Sequence, residues 1–178
     1  MIKIDKGNAP SILIKKEESW KNELLKAIDE YGCYSKIPNK KRNAILKNYK
    51  HKDIKDTLLS VTHSKCVFCE GRPSECGDDE IDHFKPKSVY PEFTFNWDNL
   101  FITCRICNRN KRDHDVVKNK IINPAKDNPD CYFWYDEIRI NSIEQKGVSI
   151  VAQTTINLLK LNHSRLLNAR GELFKALK

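Results

Sequence analysis

No apolar run in this 178-residue chain approaches the roughly 20 residues a membrane-spanning helix needs. No apolar stretch follows the opening Met1-Ile2-Lys3-Ile4-Asp5-Lys6, so no secretory signal is expected and a cytoplasmic location is. No internal repeat stands out, which leaves no case for a repeat architecture. Acidic residues are in deficit: Asp and Glu number 24 against 32 Lys and Arg, a net charge of +8. An excess of that size suits an anionic partner, nucleic acid above all. Taken alone, the charge is accounted for equally well by solubility. With 39% hydrophobic and 31% charged residues, the chain can build a modest core and is too charged for a membrane protein. Its length suggests one domain, or one domain with arms.

Against that background the seven cysteines carry the most information. In a reduced compartment, paired CxxC segments read as metal ligands rather than disulfides. Cys66-Val67-Phe68-Cys69 and Cys104-Arg105-Ile106-Cys107 form two such pairs, 34 residues apart. Four thiolates close a tetrahedral structural Zn²⁺ site and leave no open position for chemistry. The gap exceeds that of a compact zinc ribbon, as expected if a strand pair and a loop are inserted between the knuckles. Cys33, Cys76 and Cys131 remain as unpaired thiols, with Cys76 a passive residue of a turn-rich loop.

Chemistry must then lie between and just after the pairs. Asp82-His83 precedes Pro86, Asn99 follows Trp97-Asp98, and Asn108 follows Cys107 directly. His83 can be neutral at cellular pH and take a proton from water. Asp82 offers a hard oxygen to Mg²⁺ or Mn²⁺, and Asn108 an amide oxygen. Such an ion keeps several waters and takes few protein ligands. Asn99 is expected to pin the loop between two strands and so fix the His83 ring, with Trp97 packed beneath. Lys85, Lys87, Arg109 and Lys111 are candidate phosphate contacts, Lys111 lying one turn beyond Asn108. His51, His63, His114 and His163 are weaker candidates, each more simply a solvated histidine.

Periodicity predicts a helix from about Ser19 to Asp29 ended by Gly32, a second over 40–48 and a third over 51–63. Two short strands follow at 80–84 and 99–103, then a helix from Cys107 or Asn108 through Lys111. Residues 131–140 read as a strand or hairpin whose Tyr132-Phe133-Trp134-Tyr135 is more simply core than a base-stacking surface. Two helices end the chain. The last carries Leu166, Leu167, Leu173, Phe174 and Leu177, either packed on the domain or docking a partner. The expectation is an α+β, mainly helical fold. A zinc-stabilised ββα-metal core at 65–115 would be flanked by N-terminal helices in 1–64 and by C-terminal elements in 116–178.

Asp82-His83, Asn99 and Cys107-Asn108 with Lys111 together resemble the HNH endonuclease motif in the version ending in Asn. Asn99 lies sixteen residues after His83, and Asn108 nine after Asn99. The resemblance implies that His83 is the general base, that Asp82 and Asn108 bind the catalytic divalent metal, and that Asn99 orients the loop. The four cysteines match the zinc knuckles of the branch that carries them. A narrower similarity runs through Ile81-Asp82-His83-Phe84-Lys85-Pro86-Lys87-Ser88, Phe95-Asn96-Trp97-Asp98-Asn99-Leu100 and Ile122-Asn123-Pro124. These segments look like the retron- and Septu-associated HNH nucleases of bacterial phage defence, whose members often carry Glu at the position of Asp82. That likeness implies a partner, a Septu-type ATPase of the SMC/ABC kind, and a substrate of nucleic acid, DNA before RNA. The competing readings are a free-standing restriction-type HNH endonuclease and a non-catalytic zinc-stabilised nucleic-acid-binding module.

Overall fold

The computed structural model describes residues 1–73 and 79–177; Cys76 and most of its turn-rich loop lie outside them. Helix α1 spans Ser11–Tyr31. It starts eight residues before the expected Ser19, directly after Pro10, whose φ of −62° and ψ of 149° set the entry without a side-chain cap. Ser19 therefore lies inside the helix, and the Ile12-Leu13-Ile14 strip is its first turn, with Leu13 buried and Ile14 exposed. Gly32 ends α1 at φ 81°, a left-handed conformation that glycine adopts at no steric cost. Helix α2, Asn39–Leu46, runs into a 3₁₀ turn that carries the buried Tyr49. Helix α3, Lys52–Val61, is capped by the His51 ring, which accepts from the Asp53 N–H.

Strands β1, Asp79–His83, and β2, Leu100–Cys104, pair antiparallel with Asp82 opposite Phe101 and His83 opposite Leu100. Each lies one residue from its expected position. Helix α4, Arg105–Lys111, follows at once; the Cys104 sulfur caps it by accepting from the Cys107 N–H. Strands β3, Phe133–Asp136, and β4, Arg139–Ser142, form a hairpin, and helices α5, Val148–Leu159, and α6, Ser164–Ala176, complete the fold. Among the described residues no helix is long and apolar enough to cross a membrane.

Two apolar clusters hold these elements. One joins α1–α3 to Phe95, Trp97, Leu100 and Ile102, so the N-terminal helices lie against the β1–β2 pair. The other joins Met1 and Ile4 to Phe68, Phe101, Ile122, Phe133 and the inner face of α5. Alternation along β2 sends Phe101 to one cluster and Leu100 and Ile102 to the other, as the period of a strand requires. The opening residues are tied down by Lys6. It is 6% exposed, and its ammonium donates to the carbonyl oxygens of Trp97 and Leu100 and lies over the Trp97 and Phe101 rings.

The aromatic segment departs from the core expectation. Phe133 is buried, but Trp134 is 50% and Tyr135 46% exposed. A two-stranded ribbon packs one face only, and Trp134 lies on the other. In α6, Leu166 is buried while Leu173 and Leu177 face solvent.

Candidate active site

The four paired cysteines converge. The sulfurs of Cys66, Cys69, Cys104 and Cys107 all lie within 4.8 Å of one another, and those of Cys69 and Cys104 are 3.8 Å apart. Zn–S bonds of about 2.3 Å in a tetrahedron set sulfurs about 3.8 Å apart, so the spacing fits zinc. Four converging thiols are the donor set that binds zinc as thiolates. The site joins the loop before β1 to the β2–α4 junction and so fixes α4 against the strand pair.

β1 presents Asp82 and His83 at its last two positions, 6% and 3% exposed. The His83 Nε2 lies 2.9 Å from the carbonyl oxygen of Thr94. A carbonyl can only accept, so Nε2 carries the proton and Nδ1 is left with the lone pair. The Tyr49 ring packs edge-on against the imidazole at 4.6 Å between centroids. Burial first, and the nearby Lys87 ammonium second, push the His83 pKa down to about 3, so the ring is neutral in the cell.

Asn99 fixes the loop that supplies this carbonyl. Its Oδ1 accepts from the Lys85 N–H at 2.7 Å, and its Nδ2 donates to the carbonyls of Lys85 and Phe93. Its own carbonyl accepts from the Phe84 N–H at 2.9 Å. One buried amide thus spans both ends of the segment between β1 and Thr94. Trp97 lies in the core beneath it.

On the helix side, Asn108 Nδ2 donates to Glu80 Oε2 at 2.5 Å, and Glu80 shares a strand face with Asp82. Burial raises the Asp82 pKa, offset by Lys111. The Asp82 Oδ2 lies 3.0 Å from the Lys111 ammonium without hydrogen-bond geometry. A buried carboxylate with an underused oxygen, facing a helix that carries an amide, suits a hard divalent cation. A cavity of about 410 Å³ adjoins this region. Tyr49, Glu80 and Asn108 line it, together with Lys50 and Lys55; Asp82 and His83 do not.

The four candidate phosphate contacts separate. Arg109 is exposed. Lys87 is half-buried, and burial lowers its pKa. Lys85 is half-buried with its ammonium 3.8 Å above the Phe93 ring. Lys111 is 1% exposed and donates to Asp82 and to the His83 carbonyl. In place of the expected phosphate contact it makes a buried ion pair, because α4 lies directly against β1. Among the described residues, Tyr49, Glu80 and the backbone of Thr94 also touch the site, outside the expected set. Glu80 was legible as the residue two before Asp82. A carbonyl leaves no trace in sequence, and Tyr49 arrives from a distant helix pair.

Residues 66–114, which hold both cysteine pairs, the two strands and α4, match the HNH endonuclease family model. The chain is also similar to two curated proteins named Septu protein PtuB. One, from Bacillus thuringiensis, is 34% identical over 164 residues, covering 91% of this chain and 55% of its own. The other, from Bacillus mycoides (strain KBAB4), is 26% identical, covering 71% of this chain and 52% of its own. The chain thus spans about half the length of the curated relatives it matches.

Proposed function

We propose that the chain is a divalent-metal-dependent endonuclease that cleaves phosphodiester bonds of nucleic acid, DNA before RNA, as the effector subunit of a Septu-type defence complex with an ATPase. The observation that carries this reading is the fixed His83 ring: Nε2–H on the Thr94 carbonyl, Nδ1 left to accept a proton. His83 takes that proton from water as the water attacks phosphorus in line with the leaving 3′-oxygen. Asp82 and Asn108 are the residues that would hold Mg²⁺ or Mn²⁺, which supplies Lewis-acid stabilisation of charge on the phosphate and the leaving oxygen. Asn99 acts at one remove, as a positioning residue for the loop. Lys111 holds the Asp82 carboxylate in place. Lys87 and Arg109 are proposed to contact phosphate, with Lys50 and Lys55 lining the cavity beside Asn108; Lys85 braces the loop. The Cys66, Cys69, Cys104 and Cys107 cluster is proposed to hold structural Zn²⁺.

The partner assignment rests on similarity to Septu proteins. The experiment that tests the whole reading expresses the chain with and without a Septu-type ATPase and assays plasmid DNA and total tRNA with Mg²⁺. Metal-dependent cleavage in the complex, lost with EDTA, is expected. A complex that assembles and cleaves neither substrate would contradict it.

A further inference from the structure

We infer that the face formed by the β3–β4 hairpin, α5 and α4 binds an unpaired stretch of polynucleotide leading to the cleavage site. This rests on the nuclease reading only for its purpose; the surface stands on its own residues. A cavity of about 580 Å³ lies between the hairpin and α5. Trp134 lines it with its indole 50% exposed, opposite Asn141 on β4. A second cavity, of about 210 Å³, lies against α4 and contains Arg109 and Arg165. Lys160 and His163 line both, so the two form one continuous track.

The track is mainly cationic. Arg139, Lys160, Arg165 and Arg109 are all exposed. Among the described residues, none of the four Arg and Lys side chains pairs with a carboxylate within 4.0 Å. Glu144 is the one carboxylate among the lining residues of either cavity. Free cations on a surface attract phosphate. A half-exposed indole offers a stacking platform to a base of any sequence, and the amides of Gln153 and Asn157 beside it can meet base edges. A duplex shields its base faces inside the stack, so this combination fits an unpaired strand.

The track is rigidly joined to the nuclease unit. The Asn110 side chain on α4 donates to the Leu159 carbonyl at the end of α5. The Asn162 amide accepts from the Ile140 N–H at 2.9 Å and donates to its carbonyl at 2.7 Å, fixing the hairpin to the α5–α6 turn. Arg109 is the neighbour of Asn108 on the site helix. A strand stacked on Trp134 and tracked by Lys160 and Arg165 therefore reaches the face of α4 that carries Arg109, and must pass round that helix to meet Asn108 on its other side.

The test measures binding by anisotropy of labelled oligonucleotides to the full chain in EDTA, so that no cleavage intervenes. The probes are unpaired DNA of about 12 nucleotides, RNA of the same sequence, and the corresponding DNA duplex. Trp134→Ala is expected to weaken binding of the unpaired strands roughly 5- to 100-fold. Trp134→Phe should restore most of it, which also controls for folding. Lys160→Ala should lower the salt slope by about 0.7. The preferred strand, DNA or RNA, identifies the source of the ligand. Unpaired strands that bind Trp134→Ala as tightly as wild type overturn the inference, as does wild-type chain that binds only duplex. Unchanged oligonucleotide binding with lost ATPase association would assign the face to the protein partner instead and equally overturn it. A parallel cleavage assay separates this claim from the nuclease reading, since Trp134-dependent binding without cleavage sinks only the latter.

Discussion

The Lys111 ammonium lies 3.0 Å from Asp82 Oδ2 and 2.6 Å from the carbonyl oxygen of His83, and both side chains are buried. Removing one partner of a buried pair leaves the other charge uncompensated, at about 3–5 kcal/mol. Lys111→Met should therefore lower thermal stability markedly. If Asp82 is a metal ligand, Mg²⁺ should return part of that loss, because the cation replaces the missing charge. Melting of the variant with Mg²⁺ and with EDTA reads this directly. Equal melting in both would remove Asp82 from the metal site.

The cysteine cluster gives a second expectation. Metal analysis of the purified chain should find one zinc per chain, held by Cys66, Cys69, Cys104 and Cys107. Cys104 both joins the cluster and caps α4. Cys104→Ala should unfold the unit of β1, β2 and α4, since structural zinc contributes on the order of 10 kcal/mol in small zinc domains. A zinc-free chain that melts as the native protein does would show that the sulfurs hold no structural ion.

The elements that carry these residues were legible in the sequence, and the reason is local. The Asp-His pair ends β1, Asn99 directly precedes β2, Cys104 ends it, and Cys107 and Asn108 lie on the helix that follows, all elements that neighbouring residues announce. Both strands fall within one residue of their expected places because short apolar runs and Pro86 bound them. The HNH resemblance read from those residues agrees with the family match over 66–114. What stayed hidden depends on packing between distant segments. Lys111 reads as a surface cation one turn past Asn108, and only the approach of α4 to β1 buries it. Tyr49 meets His83 through the fold of two N-terminal helices on the strands. Ser19 reads as a cap, yet Leu13 buries a full turn upstream and draws the helix back to Pro10. Trp134 reads as core because four consecutive aromatics leave no hint of which face of a hairpin stays bare.

Lys6 makes stability depend on pH with a definite sign. Burial pulls its pKa from 10.5 down to about 7. Between those values the unfolded chain holds a proton that the folded chain has released, so stability rises with pH across that window. Wild type should gain stability relative to Lys6→Met between pH 7 and 10, with the difference flat below pH 7. Urea melts of both proteins across that range check it. A constant difference would mean that the Trp97 and Leu100 carbonyls and the two rings keep the ammonium charged throughout.

The most direct measurement is metal-dependent cleavage by His83→Ala beside wild type, each with the proposed ATPase partner and with melting and nucleic-acid binding recorded for both. His83 is the only histidine between the two cysteine pairs, and its ring is held with Nδ1 as the free acceptor. Loss of a general base costs on the order of 10²–10⁴ in rate. The account predicts a loss of that size in a protein that folds and binds nucleic acid as before. A folded His83→Ala protein that cleaves at close to the wild-type rate would contradict it.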